Sequence, residues 1–268
     1  MPMEAPLPFF SPGADPGPSF SDLLRRVRPE QGHVAGASID QIVPHGTTVL
    51  AIRHVDGVVM AGDRRATAGF TIASRRIEKV FPADDSSGVA IAGAAGPAVD
   101  LVRLFQTQLE HYEKIEGEIL SLEGKANQLS QLVRANLPAA MQGFVVVPLF
   151  AGFDDRRGLG RVFSFDVTGG KYEEIDFQAQ GSGGVHARNW IKAQWRPDLT
   201  RDETVDLALR ALFAAADEDA ATGGPDLVRR IFPTVAVIDE SGYTAVDDEE
   251  VARRADALIG GREEGAGL

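Results

Sequence analysis

The chain has 268 residues, of which 39 are acidic and 27 basic, so its formal net charge is −12. This charge argues against nucleic acid or an anionic membrane as the main partner. The absence of cysteine excludes disulfides, cysteine-protease chemistry, Cys zinc sites and thiolate-held iron–sulfur clusters. No window approaches the roughly 18 uninterrupted apolar residues of a membrane helix, and the N-terminus lacks the features of a secretory signal. We therefore expect a cytoplasmic location.

The composition changes near residue 46. Eight of the 15 prolines lie in the first 46 residues, and such a stretch cannot bury enough apolar surface to offset the entropy of ordering it. We expect residues 1 to about 35 to be mostly disordered, with a short helix around residues 20–27. The remainder shows no repeat, which predicts one compact domain over residues 47–268 with a flexible tail from about residue 260.

The folded pattern begins with two β-branched runs, TTVLAIRH and GVVMAGDRR, with Val55, Asp56 and Gly57 at the turn where they meet. Asp-Gly is a hairpin turn signal. Apolar runs at residues 77–81 and 89–92 predict two more strands, making four in succession. A helix is then predicted from Gly96-Pro97 to a stop at Gly117, followed by a second from Ser121 to Gly143.

The rest of the chain repeats this succession of strands and helices. The later predicted strands cover residues 144–153, 161–166, 172–180, 234–239 and 243–246. The later predicted helices cover residues 185–195, 204–216 and 247–259. Strand runs alternating with helix pairs predict an α+β fold in which two antiparallel sheets pack face to face and helices cover both outer surfaces.

Several common catalytic motifs are missing from the sequence. The five histidines form no HExxH pair, and there is no GxSxG elbow. A Ser/His/Asp triad needs no adjacency in sequence, so this alternative stays open, although nothing marks one.

Two further features could bind a ligand. GSGG at residues 181–184 resembles a phosphate-cradling turn, but it lacks the Lys-Ser/Thr of a P-loop, and a tight strand-to-helix turn is the simpler interpretation. Acidic clusters at residues 217–219 and 247–250 could hold a hard cation, although a helix N-terminus favours acidic residues anyway. We predict neither a metal nor a cofactor.

The informative feature is HGTTVLAI, which stands where the folded pattern begins. A cut after Gly46 would make Thr47 an N-terminus, whose α-amine, with a pKa of about 7.7 to 8, could accept the proton of its own hydroxyl. Such a site needs a cation and a carboxylate that holds the cation in place. The nearest candidates are Lys79 and Asp63, although taken separately each could be a solvated lysine or a turn aspartate. Spacing alone does not decide between Thr47 and Thr48.

Six segments in order carry a family resemblance: HGTTVLAI, GVVMAGDRRATAG, the Lys79 strand, IAGAAG, GSGG and DEDAATGGPD. Together they resemble the β subunits of the proteasome core particle, from Thr47 to about Asp248. The Pro-rich leader and ATGGPDLVR look most like the actinobacterial members. The resemblance implies a threonine peptidase of the N-terminal-nucleophile class, with a four-layer αββα fold. It also implies that residues 1–46 form a propeptide, which the subunit removes by self-cleavage between Gly46 and Thr47.

The resemblance also assigns roles to individual residues. It makes Thr47 the nucleophile, Asp63 the carboxylate and Lys79 the cation. A polar shell around the terminal amine would consist of Ser182, Asp219 and Thr222, the last standing where many relatives have Ser. The backbone N–H of Gly93 would face the developing oxyanion.

Substrate contacts follow from the same resemblance. Thr67 and Ala95 match positions that pair with an extended substrate as an added strand. The side-chain pocket would be lined by Ala66, Ile77, Ile91 and Val99. All four are apolar, which predicts cleavage after apolar residues.

Partners are likewise implied only by the resemblance. They are α subunits and other β subunits in stacked heptameric rings, an ATPase ring regulator, a small protein tag and protein substrates. Two alternatives remain: a ring subunit that assembles without catalysing, and an amidohydrolase of the same nucleophile class that acts on small molecules. The Gly46-Thr47 junction and Lys79 argue against the first, and the GDRR and ATGGPD segments argue against the second.

Overall fold

The computed structural model describes the backbone of residues 46–265 and the side chains of residues 46–260. Three predictions concern residues whose side chains are not described. They are the disorder before residue 36, the helix at residues 20–27 and most of the flexible tail. Of the predicted propeptide, only Gly46 is described.

The described strands form three antiparallel sheets. One five-stranded sheet has the order β10-β1-β2-β11-β12, with β1 at Thr48–His54, β2 at Gly57–Gly62, β10 at Phe177–Gly181, β11 at Thr234–Asp239 and β12 at Gly242–Ala245. The other has the order β5-β6-β7-β8-β9, with β5 at Val80–Asp84, β6 at Ser87–Gly93, β7 at Val146–Asp154, β8 at Leu159–Phe165 and β9 at Lys171–Glu174. A small hairpin pairs β3, Ala66–Ala68, with β4, Thr71–Ser74.

The helices fall between the strand runs, as the sequence predicts. They are α1 at Ala95–Glu116, α2 at Leu122–Ala135, α3 at Leu137–Ala140, α4 at Gly184–Gln194, α5 at Arg201–Glu218 and α6 at Asp248–Gly265. Gly117 ends α1 in the left-handed conformation, with φ 73°. The Ser121 side chain caps α2 by accepting the backbone N–H of Gly124.

Neighbouring residues of β1 face different hydrophobic clusters because side chains alternate across a strand. Val49 belongs to a cluster that contains residues of both large sheets, including Met60, Ala90 and Leu149. Leu50 belongs to a second cluster, which contains residues of α4, α5 and α6. A third cluster joins the outward residues of β6 to α1 and α2. The two large sheets therefore contact each other, and each also packs against helices.

Two predicted elements are wrong in extent. The helix predicted from Ser121 to Gly143 is interrupted at Asn136, because Pro138 lacks the N–H that would continue the ladder and its ring clashes with the preceding turn. The strand predicted at residues 172–180 is two strands: β9 pairs with β8, whereas β10 pairs with β1 in the other sheet. An exposed apolar residue at the bend, Ile175, conceals this break in the sequence pattern.

The first strand run also differs from the prediction. It contains six strands rather than four, because the short β3 and β4 were not predicted. The strand predicted from Ile77 begins only at Val80. These differences matter for the site, because the segment from Ala66 to Lys79 connects the two large sheets.

Candidate active site

Four predicted site residues lie at the ends of neighbouring strands. Thr47 precedes β1 and Asp63 follows β2, and these two strands pair so that Val49 lies opposite Gly62. Lys79 precedes β5 and Gly93 ends β6 in the other sheet. Because the two sheets contact each other, these four strand ends lie close together. They supply a nucleophile candidate, a carboxylate, a cation and a glycine N–H.

Lys79 and Asp63 form a buried ion pair. The Lys79 Nζ atom lies 2.6 Å from Asp63 Oδ1, and the two side chains are 4% and 0% exposed. Nζ also donates to the carbonyl of Arg65 at 2.7 Å and to the carbonyl of Gly46 at 3.2 Å. Burial lowers the pKa of Lys79 below its ordinary value, and the charge of Asp63 offsets only part of this effect. The cation therefore contacts the carbonyl of the bond proposed for cleavage.

Asp63 is oriented by backbone as well as by Lys79. Its Oδ1 atom accepts the N–H of Thr48 at 2.8 Å. Its Oδ2 atom accepts the N–H groups of Arg65 at 2.9 Å and Gly223 at 2.8 Å. Four donors thus fix both carboxylate oxygens, so the carboxylate holds the lysine in one position.

Ser182, Asp219 and Thr222 form a connected polar cluster beside Thr47. The N–H of Thr47 lies 3.4 Å from Ser182 Oγ. Ser182 and Thr222 both donate to Asp219 Oδ2, at 2.5 Å and 2.6 Å. Burial acts to raise the pKa of Asp219, but the hydrogen bonds from Ser182, Thr222 and the backbone outweigh it and lower that pKa. The cluster therefore favours a charged carboxylate close to the nitrogen of Thr47.

The Thr48 hydroxyl is held by two hydrogen bonds within the fold. It lies 2.6 Å from Thr222 Oγ1 and accepts the N–H of Gly183 at 3.1 Å. Thr222 donates its hydroxyl proton to Asp219, so Thr48 must be the donor in the first of these bonds. Thr48 is also fully buried, whereas Thr47 lines a cavity. This difference favours Thr47 over Thr48 as the nucleophile candidate.

The cavity beside Thr47 has a volume of about 210 Å³. We call it the apolar cavity. It brings together all four predicted lining residues, Ala66, Ile77, Ile91 and Val99. It is also lined by Ala95, which was predicted to pair with substrate, and by Lys79 and Gly93. Thr67 is not among the lining residues, but its hydroxyl accepts the N–H of Gly46 at 3.1 Å.

Three other lining residues, Glu78, Phe81 and Ala98, were not identified from the sequence. Strand alternation could have indicated Phe81, which lies two residues beyond Lys79. Helical spacing could have indicated Ala98, which lies three residues beyond Ala95. The carboxylate of Glu78 interacts with Arg64 and Thr234, and no local pattern marks these interactions.

Gly46 and Gly93 both occupy positions where a side chain would clash. A Cβ atom on Gly46 would lie 2.5 Å from the carbonyl oxygen of Ala221. Gly93 has a φ of +123°, and a Cβ there would lie 2.1 Å from the carbonyl oxygen of Val145. Close backbone contact therefore requires glycine at both positions.

The remaining sequence candidates have weaker structural support. The GSGG segment connects β10 to α4, and the Ser182 N–H donates to the carbonyl of Thr47 at 2.9 Å. Among the described side chains, no group of three or more His, Cys, Asp or Glu residues could hold a metal ion. Within residues 46–265, no helix is long and apolar enough to cross a bilayer.

Comparisons with known proteins agree on one family. The family model described as "Proteasome subunit" matches residues 43–228. "Proteasome subunit beta" of Acidimicrobium ferrooxidans is 59% identical over 264 residues, which cover 97% of this chain and 96% of the relative. Proteins of the same name from Jonesia denitrificans and Streptomyces griseus are each 51% identical, covering 91% and 95% of this chain and 82% and 91% of their own lengths. The chain therefore belongs to the proteasome subunit family, in which it is a bacterial β subunit.

Proposed function

We propose that this β subunit is a threonine-type endopeptidase with Thr47 as its nucleophile. The observation that carries the proposal is the contact of the buried Lys79 ammonium with both Asp63 and the carbonyl of Gly46. An apolar residue would fill the same buried space at a lower desolvation cost than a charged lysine. The charge at the junction between leader and domain therefore indicates a chemical role rather than a packing role. The contact with the Gly46 carbonyl places this charge beside the bond between Gly46 and Thr47.

In the proposed reaction the Thr47 amine, acting through a water, takes the hydroxyl proton while the oxygen attacks the peptide carbonyl. The N–H of Gly93 stabilises the tetrahedral oxyanion, an interaction whose loss typically costs about 3 kcal/mol. The leaving amine takes up a proton as the peptide bond breaks, and an ester to Thr47 remains. Water then hydrolyses the ester and restores the hydroxyl.

Self-cleavage between Gly46 and Thr47 is the proposed activation step. The Thr47 hydroxyl oxygen attacks the Gly46 carbonyl, the Thr47 nitrogen leaves as an amine and takes up the hydroxyl proton, and water then hydrolyses the resulting ester. While this bond is intact, the nitrogen of Thr47 is an amide and cannot act as a base, so the precursor is inactive. The Lys79 contact with the Gly46 carbonyl supports cleavage at this bond, because a cation stabilises the negative charge that develops on a carbonyl oxygen under attack. Residues 1–46 are then the propeptide, and residues 47–268 the mature subunit.

We also propose the four-layer αββα arrangement of N-terminal-nucleophile hydrolases. The three hydrophobic clusters support it, because one contains residues of both sheets and each of the other two contains residues of one sheet and its helices. In the assembled particle, we expect stacked heptameric rings with α subunits in the cytoplasm. By resemblance, an ATPase ring and a small protein tag deliver protein substrates.

Intact-mass measurement of the assembled particle tests the nucleophile. The wild-type subunit should lose residues 1–46, and Thr47→Ala should retain them, because it lacks the attacking oxygen. Thr47→Ser is the matched control, since it keeps the hydroxyl and should still be cleaved. Normal trimming of Thr47→Ala would show that another protease removes the leader, and a mature mass beginning at Thr48 would reject Thr47. A wild-type subunit that kept its leader would favour the non-catalytic ring subunit.

A panel of fluorogenic peptides tests the specificity. The apolar lining of the cavity predicts preferential cleavage after apolar residues, by about tenfold or more in kcat/KM over basic ones. Peptides that differ only in an apolar, acidic or basic residue before the cleaved bond make the comparison direct. Preference for the basic peptide would contradict the assignment of the cavity. Hydrolysis of small amides without hydrolysis of peptides would favour the amidohydrolase alternative.

A further inference from the structure

A second cavity, of about 200 Å³, shares no lining residue with the apolar cavity. Its charged lining residues are Arg64, Arg65, Arg75, Arg229 and Asp226, and we call it the arginine cavity. Four guanidinium groups around one small cavity are unusual in a chain whose formal net charge is −12. Such a concentration of one sign of charge attracts ions of the opposite sign.

The carboxylates nearby balance only part of this charge. Arg229 pairs with Asp226 at 2.9 Å, and Arg64 pairs with Glu78 at 2.5 Å and approaches Asp248 at 3.9 Å. The other two arginines form no ion pair with a described side chain. Arg75 nonetheless lies near Asp226, because its charge adds to the hydrogen bonds of Arg229 in lowering the pKa of that carboxyl.

These two unpaired arginines differ in their remaining contacts. Arg65 donates to the carbonyl of Ala220 at 2.8 Å, whereas no hydrogen bond or ion pair holds the exposed Arg75 side chain within the described part of the chain. Both guanidinium groups therefore keep donors available to a ligand.

Arg64 also contributes a guanidinium group to the lining of the arginine cavity. Its Nε atom is buried and has no hydrogen-bond partner among the described residues. Because this atom is buried, an ion in the cavity would contact the terminal nitrogens of the guanidinium groups rather than Nε. The planar guanidinium fork matches the geometry of phosphate and carboxylate oxygens.

We propose that the arginine cavity binds a small oxyanion of the phosphate or carboxylate class. The site would be directly linked to the candidate active site through the backbone. Arg65 and Gly223 both line the arginine cavity, and their N–H groups are the two donors to Asp63 Oδ2. The bound anion would thus neutralise charge next to the carboxylate that holds Lys79.

Calorimetric titration of the assembled core particle with inorganic phosphate, at constant ionic strength in a zwitterionic buffer, tests the proposal. The wild type should bind phosphate saturably, and Arg75→Gln should bind it at least about tenfold more weakly. Arg156→Gln is the matched control, because Arg156 is an exposed arginine of the β7–β8 turn outside the cavity. A parallel titration with succinate shows whether the site prefers phosphate or carboxylate.

Modification by phenylglyoxal gives a second test, which needs no variant. Phosphate should protect Arg75 but not Arg156 in the wild-type particle, as read by peptide mass spectrometry. The proposal is overturned if neither anion binds saturably, as would happen if a carboxylate of a neighbouring subunit filled the cavity. Binding that Arg75→Gln leaves unchanged would also overturn it. Neither measurement uses peptidase activity, so the result is independent of the role proposed for Thr47.

Discussion

At the scale of single residues, the site depends on a charge in a nearly closed environment. An unpaired buried ammonium loses its proton readily, because burial disfavours the charged form. The Lys79 ammonium is not unpaired, because it donates to one carboxylate and to two carbonyl oxygens. One of these acceptors belongs to Gly46, so cleavage after Gly46 would change the surroundings of the lysine.

Gly46→Ala should slow removal of the leader by about tenfold or more, which corresponds to at least 1.4 kcal/mol in the barrier. The added Cβ would lie 2.5 Å from the Ala221 carbonyl oxygen and 2.7 Å from its Cα. Relief of this clash must move either the Gly46 carbonyl away from Lys79 or the backbone beside Thr222. The measurement is the fraction of mature subunit against time, by intact mass.

Gly260→Ala provides the control for this substitution. A Cβ at Gly260 meets nothing within 4 Å, so this variant should be processed at the wild-type rate. Equal processing of the two variants would show that the close contact at Gly46 does not control cleavage.

At the scale of elements, helix ends show what local sequence specifies. The helical pattern predicted a start at Thr204, whereas α5 begins at Arg201. Thr200 and Glu203 form a capping box there, in which each side chain accepts the other residue's backbone N–H. The sequence TRDE at residues 200–203 carries this capping signal, directly before the residue at which the apolar periodicity begins.

Thr200→Ala should lower the free energy of unfolding by about 1 kcal/mol, because it leaves a helix N–H without its acceptor. For a domain of this size, the midpoint of thermal unfolding should fall by about 2–4 °C. Thr200→Ser keeps the hydroxyl and should retain most of the stability. Equal loss in the Ala and Ser variants would assign the effect to the methyl group rather than to the cap.

Local periodicity predicted most strands and helices, but it could not choose pairing partners. The segment from Tyr172 to Gln180 contributes to both large sheets, and this division depends on tertiary contacts. The site shows the same limit. Motifs marked Thr47, Asp63 and Lys79 as candidates, and these three lie close together in the structure. The position of Glu78 beside the cavity instead depends on how Arg64 and Thr234 hold its carboxylate.

At the scale of the whole molecule, stability should depend on pH through His54. This side chain is 6% exposed, its Nδ1 accepts the N–H of Asp56, and its Nε2 has no partner among the described residues. Burial lowers the pKa of His54; Asp56 and Asp239 oppose the shift, while Arg201 adds to it. The folded chain therefore takes up this proton at lower pH than the unfolded chain does.

The unfolding free energy should consequently fall as the pH decreases from about 6.5 through the folded pKa of His54, because the unfolded state binds more protons there. His54→Gln should remove this part of the pH dependence. Urea unfolding of the subunit across this pH range measures the slope, with the exposed His111→Gln as control. An unchanged slope in His54→Gln would exclude His54 as its source.

The four donors to Asp63 come from widely separated parts of the chain, namely positions 48, 65, 79 and 223. During synthesis, Gly223 is translated only after the whole sheet from β5 to β9 and the helices α1 to α5. A subunit that ends before Gly223, or one whose two large sheets have not packed together, therefore cannot complete the shell around this carboxylate. The arrangement that we propose for cutting a peptide would therefore form only after these distant segments have been made and brought together.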